Sequence, residues 1–412
     1  MLRSLVGSEM CIRDRLHIFN KLRQYCESEH FKGWDPYDGL NSKIFQNIPL
    51  LHKSALCRLI MIQGFKRMPF NLRPLFLVPK EYNSKGIGLF LQGYCNLYTI
   101  IEKTSKEDLS KEKERVLSRI HQLAELLIAL RSKGYSGSCW GYNFDWQARR
   151  LFFFPKNTPT VVATSFCAEA LISAYKITRK ENYLANALSA VNFVIQDLHR
   201  TPQKRGFLFS YSPLPGNDTV YNASLLGSKI LSYGYHYTQN TLYKELAGES
   251  VLACCDAQKG DGSWPYGMLP VQTWKDSFHT GYNLDCIQEY QTLTGDTTFS
   301  AHIENGFKYY IQHFFENDGT PKYYDNKTYP IDIHCPGQLL VTLSKLKKYA
   351  EHKELADKVV NWTITNMQDS EGYFYYQLKQ FFSSHIPYMR WSNAFMFNAL
   401  SYYLLEQLQY EK

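Results

Sequence analysis

The densest chemistry in this chain lies at Trp274-Lys275-Asp276-Ser277-Phe278-His279-Thr280-Gly281-Tyr282-Asn283-Leu284-Asp285, preceded by Trp264-Pro265-Tyr266. Asp276 stands three residues before His279. A carboxylate beside an imidazole orients the ring and tunes its proton affinity, which acid–base work requires. Asp276 equally reads as a helix N-cap with His279 at the third helical position. Asp285, two turns further on, would point inward from the same helix. A second pair, Asp332 and His334, recurs in Tyr329-Pro330-Ile331-Asp332-Ile333-His334-Cys335-Pro336. Two Asp/His pairs opening successive helices mark either a shared site or the general preference of helix starts for Asp.

Three further stretches add candidates. In Trp34-Asp35-Pro36-Tyr37-Asp38-Gly39-Leu40-Asn41, two carboxylates sit three residues apart beside Trp and Tyr. They suit a sugar site, but Asp38-Gly39 is also a good turn, and Asp35 or Asn41 a good cap. In Trp140-Gly141-Tyr142-Asn143-Phe144-Asp145-Trp146-Gln147, alternation puts Trp140, Tyr142 and Phe144 on one side and Asn143, Asp145 and Gln147 on the other. The stretch continues to Asn157-Thr158-Pro159. Aromatic platforms beside an acid and an amide are what pyranose binding needs; the alternative is a rim strand with Asp145 in a turn. At Arg390-Trp391, Arg390 either clamps an anion bidentately or makes a surface ion pair.

The catalytic candidates are therefore Asp276, His279, Asp38, Asp145 and His334. The substrate-binding candidates are Trp34, Asp35, Trp140, Tyr142, Trp146, Asn157, Trp264, Tyr266, Tyr282, Asp332, Arg390 and Trp391. His279, Cys286, His334 and Cys335 match no zinc spacing, and no phosphate-binding loop occurs, so no metal or cofactor is expected.

The elements that position these residues repeat. Apolar spacing predicts helices near 44–67, 86–103, 107–132, 160–178, 181–199, 220–238, 240–258, 279–294, 297–316, 334–349, 351–368 and 391–409. Short links at 178–181, 238–241, 294–297 and 349–352 force antiparallel pairs. Long links carry Gly-aromatic turns at 137–142, 206–211, 261–266, 318–324 and 371–376, a repeat of about fifty to sixty residues. Hairpins of this length cannot bury their apolar faces alone and must stack. Six of them closing on one another make an all-α (α/α)6 toroid, with short strands in the mouth-side loops. The helices after the long links, rich in Ala, Ser, Gly and Leu, form its inner ring, and the aromatic turns would line its mouth.

Composition narrows the function. Of 412 residues, 44% are apolar and 20% charged, an ordinary globular balance. Tyr 31 against Trp 7 favours sugar stacking or the filling of wide helix interfaces. The net charge of +8 permits attraction to acidic polymers, but no basic stripe or motif indicates nucleic acid. Apolar runs such as 123–130 are too short to span a membrane. The ten cysteines form no CxxC pair and read as buried thiols of a reducing compartment, hence cytoplasmic; of Cys254-Cys255, one should face inward. The run 6–15 resembles a translated sequencing-adapter fragment. Residues 1–15 thus read as a foreign extension, with one barrel domain over 16–412.

With these residues in view, the chain resembles the six-hairpin glycosidase-like superfamily, and more narrowly a bacterial family encoded with exopolysaccharide and capsule genes. The resemblance rests on Trp34 to Leu40, Trp140 to Trp146 with Asn157-Thr158-Pro159, Asp276 to Asn283 and Tyr329 to His334. It implies a carbohydrate-active protein of polysaccharide biosynthesis or modification, with an oligosaccharide or polysaccharide as ligand. Hydrolysis by two carboxylates is the leading expectation, with Asp276 or Asp285 facing Asp35, Asp38 or Asp145. Epimerisation by His279 and His334 is one alternative. Elimination by Tyr282 or His279 with Arg390 is another. A non-catalytic glycan-binding protein with polysaccharide-assembly partners is a third. A terpene-cyclase-like toroid would want a DDxxD motif, which is absent.

Overall fold

The computed structural model describes residues 12–104, 110–147 and 153–410. Its helices are α1 (Ile12–Ser28), α2 (Lys43–Gln46), α3 (Pro49–Lys53), α4 (Ala55–Arg67), α5 (Ser84–Thr104), α6 (Ser110–Ala129), α7 (Val161–Thr178) and α8 (Glu181–Asn192). They continue as α9 (Tyr221–Thr238), α10 (Thr241–Asp256), α11 (Ser277–Thr294), α12 (Ser300–Phe314), α13 (His334–Lys345), α14 (Lys353–Met367) and α15 (Phe395–Tyr410). Helices α5, α7, α9, α11, α13 and α15 each pack on the next, and α15 returns to α5. That closes an inner ring. Helices α6, α8, α10, α12, α14 and α1 lie outside, packed on α5, α7, α9, α11, α13 and α15 respectively. This is the expected (α/α)6 toroid.

One pairing differs from expectation. The predicted helix 44–67 is no member of the ring. It breaks into α2, α3 and α4 because Pro49 holds Ile48 extended (φ −111°, ψ 93°) and Ser54 caps a new helix through Cys57 N. The outer partner of α15 is instead α1, contributed by the opposite end of the chain. Helix α1 runs through the 15/16 boundary. Arg15 is buried there, paired with Asp357 at 3.1 Å and lying over Tyr403; residues 1–11 lie outside the described ones.

The recurring glycines explain the repeat. Gly262 has φ +89°, and an added Cβ would lie 2.3 Å from the Asn305 carbonyl oxygen on the next outer helix. Gly372 (φ +99°) meets α1 in the same way, 2.6 Å from the Lys21 carbonyl oxygen. Each turn is thus pressed against the backbone of its neighbour, leaving no room for a side chain. The turn at Lys21 repeats this contact at the ring's seam.

The short links reverse with left-handed residues at Arg179, Gln239 and Gly295, which stop α7, α9 and α11. The long links hold three antiparallel ladders. These join β1 (Trp146–Gln147) to β2 (Phe153–Phe154), β3 (Arg200–Pro202) to β4 (Phe207–Phe209), and β5 (Ile331–Asp332) to β6 (Gln377–Leu378). Helix α7 has the length and apolarity to cross a membrane, but it packs between α5 and α9 in the ring. Every described cysteine is a free thiol, and Cys254 and Cys255 are both buried rather than one of them.

Candidate active site at the mouth of the ring

Inner helices run away from the mouth, so their first turns and the preceding long links form its floor and walls. Asp276 caps α11: Oδ1 accepts the His279 backbone N–H at 3.0 Å. Its Oδ2 meets His279 Nδ1 at 2.8 Å and accepts the Trp274 indole N–H at 3.2 Å. The cap and the acid–base readings are therefore both realised, one on each carboxylate oxygen. The His279 ring keeps 21% exposure, while the Asp276 side chain has none. With Asp276 ionised, Nδ1 carries the proton and Nε2 remains as a base. Tyr266 (4.8 Å), Phe278 (4.2 Å) and Tyr282 (5.9 Å) surround the imidazole.

His334 opens α13 and is buried, stacked between Trp391 at 4.2 Å and Phe395 at 4.0 Å. Phe278 lies edge-on at 5.1 Å, so both histidines share it as a neighbour. Burial, reinforced by the charges of Lys85 and Arg390, pushes the His334 imidazole well below its ordinary pKa and keeps it neutral. Neither of its ring nitrogens has a hydrogen-bond partner. Buried polar atoms are normally satisfied, so these two nitrogens are exceptions to the rule. Asp332 does not pair with the His334 ring. Its Oδ1 accepts the His334 backbone N–H at 3.1 Å and the Trp391 indole N–H at 2.9 Å, and Oδ2 accepts Gln377 at 3.2 Å. Burial raises its carboxyl to about 6.

The first stretch folds across the ring to the last. Arg390 donates through Nε to Asp35 Oδ2 at 2.6 Å and through Nη2 to Oδ1 at 2.8 Å. This pair is buried, not superficial, and the guanidinium lies over Tyr142 and Trp391, each at 5.0 Å. Asp38 is paired with buried Arg73 at 2.6 Å, and Arg73 also reaches Tyr388 Oη and the Asp35 carbonyl. Asp35 and Asp38 are thus structural counter-ions. Leaving either guanidinium unpaired in this interior would be strongly destabilising.

Several expected ligand contacts move elsewhere. Trp140 and Trp264 are core residues, 0% and 2% exposed. Their indole N–H groups donate to Leu127 O and Cys254 O, carbonyls at the ends of the preceding outer helices. Each carbonyl also accepts a backbone N–H three residues on, from Leu130 and Ala257 at 3.2 Å, so the indole takes up its second lone pair. The mouth is lined instead by a tyrosine at or near the end of four of the five turns: Tyr142, Tyr211, Tyr266 and Tyr323 are half-buried there. Asp145 lies at the open end of the β1–β2 ladder and accepts Lys156 N at 2.6 Å, which holds the turn at 155–158. Asn157 is an exposed left-handed turn residue (φ 65°). Trp34 donates to Val78 O and lies under Lys80, pinning a loop. Trp146 stacks on Phe154 at 5.0 Å and meets Tyr37 at 6.5 Å, which keeps it on the rim of the site.

The structure adds residues that spacing did not reveal. Tyr37 bridges Trp391 (5.6 Å) and Phe144 (6.5 Å) and takes a 2.6 Å hydrogen bond from Lys66. Lys85, in the first turn of α5, is buried at the centre of the ring. Its ammonium lies over Phe166 at 4.1 Å and reaches only Tyr282 Oη, at 3.4 Å. Burial and the nearby Arg390 drive it well below the ordinary lysine range. A lysine one residue into a helix, with no acid three or four residues further along it, is the signal the sequence carries. Below the mouth, Glu169 is held between Lys229 and Lys345. Burial raises this carboxyl, but the two ammonium groups overcome that and hold it down at about 2. Asp285 does point into the ring, accepting Thr342 at 2.8 Å and Gln338 at 2.7 Å, with burial raising it to about 6. The cavity between these groups encloses about 30 Å³, room for about two waters.

A closed ring of six helical hairpins is the six-hairpin glycosidase-like fold, and comparison with solved structures shows that fold here. The chain is similar to a cellobiose 2-epimerase from Bacillus thermoamylovorans at 13% identity and a TM-score of 0.61, covering 96% of this chain and 99% of that one. A glycosyl hydrolase family 88 protein from Bacteroides vulgatus matches at 10% identity and TM-score 0.59, over 97% and 100% of the chains. A polysaccharide lyase matches at 11% and 0.58, over 97% and 98%. No protein-family profile matches the sequence, and no curated protein sequence is similar to it.

Proposed function

We propose that this protein is a carbohydrate-active enzyme that moves a proton at a sugar carbon, an epimerisation-type reaction with His279 as the base. The observation that carries this reading is the 2.8 Å bond from His279 Nδ1 to Asp276, which leaves Nε2 as a half-exposed base among tyrosines. In the reaction, Nε2 takes the proton from the carbon next to an opened anomeric carbonyl. The electron pair passes to the carbonyl oxygen, giving an enediolate. The cation assigned to meet that charge is Arg390, through Nη1, which makes no hydrogen bond among the described residues. Water then protonates the opposite face of the enediolate, and the hydroxide so formed takes back the proton held on His279, which gives the epimer and restores the neutral base. Neutral His334 offers its unpartnered nitrogens to a substrate hydroxyl. The substrate is taken to be a saccharide of polysaccharide biosynthesis or modification.

Hydrolysis is less well supported because it needs two carboxylates facing each other across the bond. Asp35 and Asp38 are engaged by guanidinium groups, Asp145 by a turn, and both oxygens of Asp332 by hydrogen bonds. The fold likeness to a cellobiose 2-epimerase is compatible with the proton-transfer reading but does not choose among reactions.

The test is proton NMR in D₂O with neutral and uronic-acid oligosaccharides. Loss of one ring-proton signal to deuterium, absent with His279→Gln, is the expected result. New reducing-end signals without exchange would replace the reading with hydrolysis, and vinyl signals with elimination. Line broadening without product would indicate a glycan-binding protein.

A further inference from the structure

Between Asp38 and Glu81 the chain has seven Lys/Arg and no Asp or Glu, so this one segment holds nearly all of the net +8. It is also the part that left the ring. Helices α2 to α4 and the loop up to Lys80 sit at the mouth end, with α4 against β1. Helix α4 buries Ile62 and Phe65, while its opposite face presents Leu56, Ile60, Gly64 and Arg67, at spacings of four, four and three residues. Leu50, Phe70 and Leu75 are each at least 70% exposed, and Phe381 on the neighbouring loop is 87% exposed. Soluble monomers rarely display bulky apolar side chains grouped in this way.

Cations frame them. Lys43, Lys53 and Arg67 are exposed and make no ion pair among the described residues. Lys379, on the loop with Phe381, lies within electrostatic reach of Arg67 and Lys66. Partial burial and those two charges push its ammonium below the ordinary lysine range.

We propose that this face, formed by α2–α4 and the loop around 379–382, docks onto an anionic phospholipid bilayer. The exposed apolar side chains would enter the acyl boundary while the ammonium and guanidinium groups meet phosphate headgroups. The absence of acids argues against a second copy of the chain as occupant, since two such faces would bring like charges together. Docking would set the mouth of the ring beside the lipid surface.

Co-sedimentation of the full chain with vesicles tests this, using phosphatidylcholine with about 30% phosphatidylglycerol in about 0.1 M salt. The protein should bind these vesicles. Binding should fall at least about tenfold with phosphatidylcholine alone, with Leu56→Glu/Ile60→Glu and with Lys53→Glu/Arg67→Glu. All four positions are exposed or half-buried at the surface, so the melting temperature of each variant verifies its fold. No binding to the anionic vesicles, or equal binding by both double variants, would overturn the proposal. So would a soluble dimer that Leu56→Glu/Ile60→Glu dissolves while vesicle binding is absent.

Discussion

Asp276→Asn separates the two jobs of one side chain. In the native site Oδ1 accepts the His279 backbone N–H at 3.0 Å, while Oδ2 accepts from the ring at 2.8 Å and from Trp274 at 3.2 Å. Asparagine has one oxygen and one NH₂ group. If the oxygen keeps the cap, the NH₂ faces His279 Nδ1 and the Trp274 N–H. Nδ1 must then accept, the proton moves to Nε2, and the base is lost. If the amide flips, the ring keeps its acceptor but the backbone N–H loses its own. Losing a cap costs about 1 kcal/mol, which shifts the melting temperature of a chain this long by about 1–2 °C. Losing the correct tautomer and the general base slows catalysis on the order of 10²–10⁴-fold. Deuterium exchange into the substrate, followed by NMR alongside a thermal melt, should therefore show a near-native fold and a nearly silent reaction. Exchange within about threefold of the wild type would remove the dyad from the mechanism.

Other expectations concern the frame. Gly262→Ala forces a side chain into φ +89° and against the Asn305 carbonyl, and should lower stability by about 2–4 kcal/mol in urea unfolding. Asp35→Ala leaves buried Arg390 unpaired and should cost about 3–5 kcal/mol, whereas Asp35→Leu with Arg390→Met should recover much of that loss. Glu169 has its pKa depressed to about 2, so its stabilisation is present above about 4.5 and is lost as pH falls toward 2. Glu169→Gln should accordingly flatten the acid limb of a stability–pH profile. His334 should stay neutral, showing no imidazole titration between about pH 8 and 6.5 by NMR.

Much of the site was legible where its residues are neighbours in sequence. Asp276 and His279 meet because three residues span one turn of α11, so both cap and dyad follow from spacing. Asp332 and His334 have the same look, yet Asp332 turns to the Trp391 indole, a partner 59 positions away. The tryptophans misled for a related reason. Trp140 and Trp264 carry the composition of a sugar platform, but only the stacked outer helices show that each indole closes a helix end.

By itself the sequence determined the inner helices, the tight hairpins and the glycine-aromatic repeat, because these depend on periodicity and on backbone preferences a few residues apart. Tertiary structure alone decided which helix completes the sixth pair and which acids are counter-ions. The ring seals by bringing α1 to α15, and Asp35 reaches Arg390 across 355 positions. Such contacts follow from closure of the whole ring and burial of charge within it, which no local pattern encodes.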